Sequence, residues 1–301
     1  MIGALVGDIL GSPFERRPVK REDVPLFGEG TRFTDDSLLT VAVAATLLSG
    51  RDTEERYAVF FREYGLRYPE CGFGRSFRAW LRGEGIPGGS FGNGSAMRVS
   101  PVGYAFETLE DVLDGARRSA APSHGHPEGI KGAQAVAAAV FLARKSVSRD
   151  GIASFLQERF GYDFSRPLSL VRQSYTFDAT CPGSVPEALL AFLESTSFED
   201  AVRKAISLGG DADTQACIAG AVAEAWYGGI PEEMVLRALS LLPEELLRVT
   251  VSFAVRFLPH WRGCPLFVAL AGKKEAGNEM EQEGKTERLS PREFPGEERN
   301  A

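Results

Sequence analysis

Two short stretches concentrate acidic groups at places where a chain would ordinarily avoid them. "TDDS" spans Thr34–Ser37, and "GGDADT" spans Gly209–Thr214. Each leads into a run too apolar to be anything but a buried helix: "LLTVAVAATLL" after the first, "QACIAGAVAEAWYG" after the second. Neighbouring like charges repel, and each loses hydration as the segment packs. A helix N-terminus offsets part of that cost, because its unpaired N–H groups and dipole favour a carboxylate or hydroxyl as N-cap. One cap per helix is enough, however, and here each start carries two acids plus hydroxyls. Carboxylate and hydroxyl oxygens, with no thiol or imidazole in the pattern, suit hard cations such as Mg²⁺ or Mn²⁺. If the two helix starts face each other, Asp35, Asp36, Asp211 and Asp213, with Thr34 and Thr214, surround room for two divalent cations about 3.5–4 Å apart.

Three other carboxylate motifs fail on position. An EF-hand from Asp211 needs Gly at Ala216 and Glu at Val222. A DxDx(T/V) phosphatase motif needs Thr or Val at Gln215 and a strand before it. A DDxxD motif from Asp35 needs Asp at Leu39.

The elements that must position these acids are helices. Ser37–Leu48, Gly129–Arg144, Val185–Ser195 and Gln215–Gly228 are apolar almost all round, as central helices are, and their Ala and Gly residues predict closely packed backbones. Thr196-Ser197-Phe198-Glu199 and Thr108-Leu109-Glu110-Asp111 predict capped starts of amphipathic helices, and Pro231 and Pro243 stand where first-turn prolines belong. No convincing alternating strand or hairpin dipeptide is present. The expected fold class is all-α. Phe14–Phe33 and the glycine-rich Arg82–Gly103 read as long loops, which in a compact domain are often functional.

The chain has 301 residues, 44% hydrophobic and 25% charged, with a formal net charge of −7. This suits one globular domain, expected over 1–272, and no general nucleic-acid-binding patch is expected. Residues 273–301 are charged and nearly free of large apolar groups, which predicts a disordered tail. Cys71, Cys181, Cys217 and Cys264 are scattered without metal-type spacing and read as reduced thiols of a cytoplasmic protein. The opening "MIGALVGDILGSPFE" lacks a basic n-region and carries Asp8 and Glu15, so it does not read as a signal peptide. No run is long enough for a membrane span. No surplus apolar face is evident, so a monomer is expected.

"GDILGSPFE" (Gly7–Glu15), "TDDS", "GNGSAMR" (Gly92–Arg98), "HGHPEGIKGAQA" (His124–Ala135) and "GGDADT" occur in an order that resembles the ADP-ribosylglycohydrolase family. That resemblance implies an orthogonal all-α bundle holding two Mg²⁺ or Mn²⁺ ions. It also implies hydrolysis at C1″ of ADP-ribose attached to a protein, metabolite or nucleic acid. Motif by motif, it makes Thr34, Asp35, Asp36, Asp211, Asp213 and Thr214 the metal ligands and Glu15 a mobile acid beside them. Ser37 replaces the second Thr of the relatives' TDDT and keeps its hydroxyl. Glu15, with Asp35 or Asp36, is expected to position and deprotonate the attacking water.

The same resemblance gives Gly92, Asn93, Gly94, Ser95 and Met97 substrate contacts, with backbone N–H groups receiving the pyrophosphate. It extends these to Gly209 and Gly210. Arg98 is expected to pair with phosphate or, structurally, with a carboxylate. His124 or His126 is expected to face the diphosphate as a donor, while His260 reads as structural. Tyr104 or Phe106 could stack on adenine, although aromatics near helix starts usually join the core. Acceptor choice is expected from Phe14–Phe33 and Gly161–Gly183. The rivals are an ADP-ribose or nucleotide binder without turnover, and a hydrolase of another nucleoside or sugar linkage.

Overall fold

The computed structural model describes residues 1–84, 88–261, 264, 265 and 267; the segment 273–301 lies outside the described residues. Among the described residues the chain is helical throughout, with one isolated antiparallel bridge, Gly92 to Thr180, in place of strands. The helices are α1 (Ile2–Gly11), α2 (Asp35–Leu48), α3 (Glu54–Arg67), α4 (Arg75–Leu81), α5 (Gly94–Met97), α6 (Val102–Ala105), α7 (Leu109–His124) and α8 (Pro127–Arg144). There follow α9 (Arg149–Phe160), α10 (Leu168–Ser174), α11 (Cys181–Leu193), α12 (Phe198–Ser207), α13 (Ala212–Tyr227), α14 (Glu232–Leu239) and α15 (Glu244–Phe257). Among the described residues no helix is long and apolar enough to cross a membrane.

The centre of the bundle is the pair α1 and α13. All ten residues of α1 are buried, and α13 is buried from Ala212 to Glu224. Their backbones meet because glycine removes the side chain at the contact. A Cβ added at Gly3 would stand 2.2 Å from the Gly220 carbonyl oxygen, at Gly7 2.0 Å from that of Ala216, and at Gly11 2.5 Å from that of Ala212. One helix counts up by four as the other counts down, so the two run antiparallel. The C-terminal end of α1 therefore lies against the start of α13, which is where Asp211 and Asp213 stand.

Two local expectations shift. The segment Arg82–Gly103 is not all loop, since its second half closes into α5 and the first residues of α6. The cap of α12 is Ser197, whose hydroxyl accepts from the Asp200 N–H, one residue later than the sequence suggests. The Thr108 cap of α7 is as expected, accepting from Asp111 N–H. All four cysteines are free thiols.

Candidate metal and substrate site

The first turns of α2 and α13 open onto one cleft of about 300 Å³, whose walls include Glu15, Asp35, Asp36, Asp211, Asp213 and Thr214. Asp36 and Asp213 are 2% and 5% exposed, so their charges are truly withdrawn from water. Thr34 caps α2 and lies just behind, its hydroxyl 3.3 Å from Asp36 Oδ2. Asp35 is fixed by its backbone, donating to the Cys71 carbonyl at 2.9 Å. Asn93 donates from Nδ2 to Asp211 Oδ2 at 2.8 Å, which ties the glycine-rich segment to the carboxylates.

Asp8 on α1 is the acid that motif reasoning passed over. One of its oxygens, Oδ2, accepts the backbone N–H groups of Thr34 and Ser37, both at 3.0 Å. The other, Oδ1, accepts the Thr34 hydroxyl at 2.6 Å. Oxygens of Asp8, Asp36 and Asp213 lie within 4.8 Å of one another, fully inside the protein. The signal was available: a lone acid in the apolar run "IGALVGDILG" is costly unless it has a task.

The electrostatics show an unmet demand for positive charge. Burial pushes the Asp35 carboxyl up to about 8, with Asp8 adding to the effect. Burial likewise raises Asp36, reinforced by Asp8, Asp35 and Asp211, and raises Asp213, reinforced by Asp211 and Asp36. Glu15 is raised by burial and then by Asp211. Asp36 Oδ1 is buried without a hydrogen-bond partner among the described residues. An all-oxygen, multiply acidic donor set with an orphaned carboxylate oxygen fits a hard divalent cation.

The sign of the pH dependence follows. These groups hold protons more tightly folded than unfolded, so the metal-free protein loses stability as pH rises from the ordinary carboxylate range of about 4 towards about 8. A cation competes with those protons. The rise in Tm produced by Mg²⁺ or Mn²⁺ over chelator is therefore expected to be larger near pH 8 than near pH 5.5. A shift that is flat, or that shrinks with rising pH, contradicts this account.

Gly92, Asn93, Gly94, Met97 and His124 join the acids in the cleft wall, together with Arg75, Ser76, Ser90, Gly72, Phe77 and Phe177. Five other expected contacts do not. Ser95 is buried and donates to the Gly129 carbonyl. Gly209 takes φ +65° to turn the chain into α13, and Gly210 lies where a Cβ would meet the Tyr175 ring at 2.4 Å. His126 caps α8, accepting from Glu128 N–H, and lies beside the Phe91 ring. Arg98 meets neither a phosphate-accessible surface nor a carboxylate. It is fully buried, donates from Nη2 to Ser119 O and Ser123 Oγ, and lies over Phe61. Residue type advertised all five, but the local backbone decides which of them face the cleft: the turn of α5 for Ser95 and Arg98, the start of α8 for His126, and the turn into α13 for Gly209 and Gly210.

The aromatic expectation also moves. Tyr104 is core, its carbonyl receiving Arg144, and the Phe106 carbonyl accepts from the same guanidinium, away from the acids. His260 bonds to the buried Glu224, a structural position. Of the two expected specificity loops, the first contributes Glu15 and the second contributes the exposed Phe177 and Ala179. The Ala179 carbonyl accepts from Asn93 N–H at 2.9 Å, so the second loop is pinned to the glycine-rich segment.

Comparison with known proteins agrees with this architecture. The family model described as ADP-ribosylglycohydrolase matches residues 1–261. The chain is 28% identical to the ADP-ribosylhydrolase ARH3 of Gallus gallus and 28% to that of Homo sapiens, in each case over 76% of this chain and 84% of the relative. It is 26% identical to the ADP-ribosylarginine hydrolase Tri1 of Pseudomonas putida strain GB-1, over 78% of this chain and 72% of that protein. A solved structure titled "ADP-ribosylglycohydrolase-related protein complex" superposes with a TM-score of 0.63 at 26% identity, covering 84% of this chain and 95% of that one. An all-helical bundle, the ordered motifs and a match along nearly all of the described chain lead to one conclusion: this protein belongs to the ADP-ribosylglycohydrolase family.

Proposed function

We propose that the protein releases ADP-ribose from a modified acceptor by hydrolysis at C1″, using divalent cations held by Thr34, Asp35, Asp36, Asp211, Asp213 and Thr214. The observation that carries this reading is the convergence of acids from two distant helix starts on one cleft, where burial first and neighbouring acids second raise Asp36 and Asp213. Bound there, two Mg²⁺ or Mn²⁺ ions would hold the ribose hydroxyls and acidify a water.

The chain's own groups supply the rest. Glu15 is half-buried and its carboxyl is raised, which brings a general base closer to neutral pH. It receives a proton from water as the water oxygen bonds to C1″, while the bond from C1″ to the acceptor breaks; the acceptor leaves with its electron pair and takes up a proton from solvent, to which Glu15 returns its own. The oxocarbenium character that develops at C1″ is stabilised by the surrounding carboxylates. With Arg98 sunk in the core, Arg75 is the lysine or arginine that lines the cleft among the described residues, and it suits the substrate's diphosphate. Arg75, Ser76, Phe77, Ser90 and His124 also line an adjoining cavity of about 370 Å³, which gives a long ligand room to continue.

The test is release of free ADP-ribose from ADP-ribosyl-arginine, ADP-ribosyl-serine, O-acetyl-ADP-ribose and ADP-ribosylated DNA. Turnover of at least one, abolished by EDTA and restored by Mg²⁺ or Mn²⁺, is expected. Silence across the panel in the presence of both metals overturns the reading.

A further inference from the structure

We infer that Arg98 and Ser123 act as positioning residues that hold His124 as the neutral tautomer with its proton on Nε2, aimed into the cleft. Three short distances link these side chains. Arg98 Nη2 stands 2.9 Å from Ser123 Oγ, and Ser123 Oγ stands 2.8 Å from His124 Nδ1. Arg98 Nη2 also reaches the Ser119 carbonyl at 2.8 Å, which fixes the guanidinium over the Phe61 ring at 4.1 Å.

Directionality then settles the protons. A guanidinium only donates, so Ser123 Oγ accepts from Arg98. The serine hydroxyl keeps one proton of its own, and its remaining partner is His124 Nδ1. Were Nδ1 protonated instead, Oγ would accept twice and its own proton would be left buried and unpaired, at the cost of an unmade hydrogen bond. With Ser123 donating, Nδ1 is the acceptor and Nε2 carries the hydrogen. That nitrogen faces the glycine-rich segment: a Cβ added at Gly94 would lie 2.9 Å from it, and one at Gly92 3.7 Å. Burial, with Arg98 adding to it, also lowers the His124 pKa well below the ordinary value, in keeping with a neutral ring.

The arrangement explains why a buried arginine without a carboxylate partner is retained. Its Nε and Nη1 have no partners among the described residues, a cost that packing alone does not repay. In return the cleft gains a fixed, uncharged N–H donor on a wall that also includes acids. A donor there suits an anionic oxygen of the ligand, which under the function proposed above is the diphosphate. Neutrality matters as well, because an imidazolium would compete with cations for the nearby carboxylates.

The test is long-range ¹H–¹⁵N spectroscopy of the ligand-free full-length protein, whose three histidines keep the spectrum simple. His124 is expected to show an unprotonated Nδ1 and a protonated Nε2, unchanged between about pH 6 and pH 8. In Ser123→Ala the pattern should move towards a tautomer mixture, and KM for the active substrate should rise about tenfold with a smaller change in kcat. Ser123→Thr, which keeps the hydroxyl, should restore the wild-type pattern. Arg98→Met, checked for folding by circular dichroism, should also loosen the tautomer. A wild-type His124 with its proton on Nδ1, or a pattern unmoved by Ser123→Ala, overturns the inference. The spectroscopic arm needs no substrate, so its failure is distinct from a failure of the proposed hydrolysis.

Discussion

Asp36→Asn is expected to make the metal-free protein more heat-stable at about pH 8–9 while lowering hydrolysis on the order of 10³-fold. The first effect comes from the carboxylate's setting. Asp36 is buried, its Oδ1 has no hydrogen-bond partner among the described residues, and Asp8, Asp35 and Asp211 all disfavour its charge. Asparagine keeps the shape and removes the repulsion. For a chain of this size, each kcal/mol recovered is worth roughly 2–4 °C in Tm. At about pH 5.5 the difference should be smaller, because burial and the neighbouring acids favour the protonated wild-type group increasingly as pH falls. Under the function proposed above, the second effect comes from losing a charged ligand to a cation that would contribute several kcal/mol to the transition state, at about 1.4 kcal/mol per tenfold. Thermal melts in EDTA at the two pH values, beside initial rates with Mn²⁺, read both effects. A variant that is less stable without metal and still active would show that Asp36 is a structural cap. Gain of stability with loss of function is the signature of a site whose strain serves a purpose.

Gly7→Ala is expected to cost about 3 kcal/mol or more, because a methyl has nowhere to go. Its carbon would begin 2.0 Å from the Ala216 carbonyl oxygen, a backbone atom that no rotamer change can move. The two helices must part. At roughly 2–4 °C per kcal/mol the Tm should fall by about 6–12 °C. Since α1 carries Asp8 and α13 carries Asp213, Mn²⁺ affinity should weaken with it. Gly28→Ala is the control, with its added carbon meeting nothing nearer than 4.0 Å. Melting and Mn²⁺ titration of both variants check this. A Gly7→Ala protein within a degree of the parent would show that the contact is slack.

The helical class and the two acidic helix starts were legible because both are local. An apolar run with acids at its N-terminus has the same consequence in any fold, and the starts of α2 and α13 stand within three residues of where the pattern places them. Asp8 was legible only in part. Its position inside an apolar helix marks it as unusual, but its partners Thr34 and Ser37 lie 26 and 29 residues away. Arg98, Ser95 and His126 went the other way: they sit in or beside promising motifs, and the turns of α5 and α8 point them into the core or out to solvent. Arg75 and Phe177 carry no motif at all, and only the closed bundle brings them to the cleft.

The spacing of Gly3, Gly7 and Gly11 against Gly220, Ala216 and Ala212 has a bearing on which ions the protein can tell apart. Rulers made of side chains stretch, whereas two main chains in contact form a gauge of fixed width. Mg²⁺ wants its oxygens at about 2.0–2.1 Å and Ca²⁺ at about 2.3–2.6 Å with more of them. Under the function proposed above, a frame that cannot spread would penalise the larger ion by geometry alone, so selectivity by radius would originate in the seam between the first helix and the thirteenth.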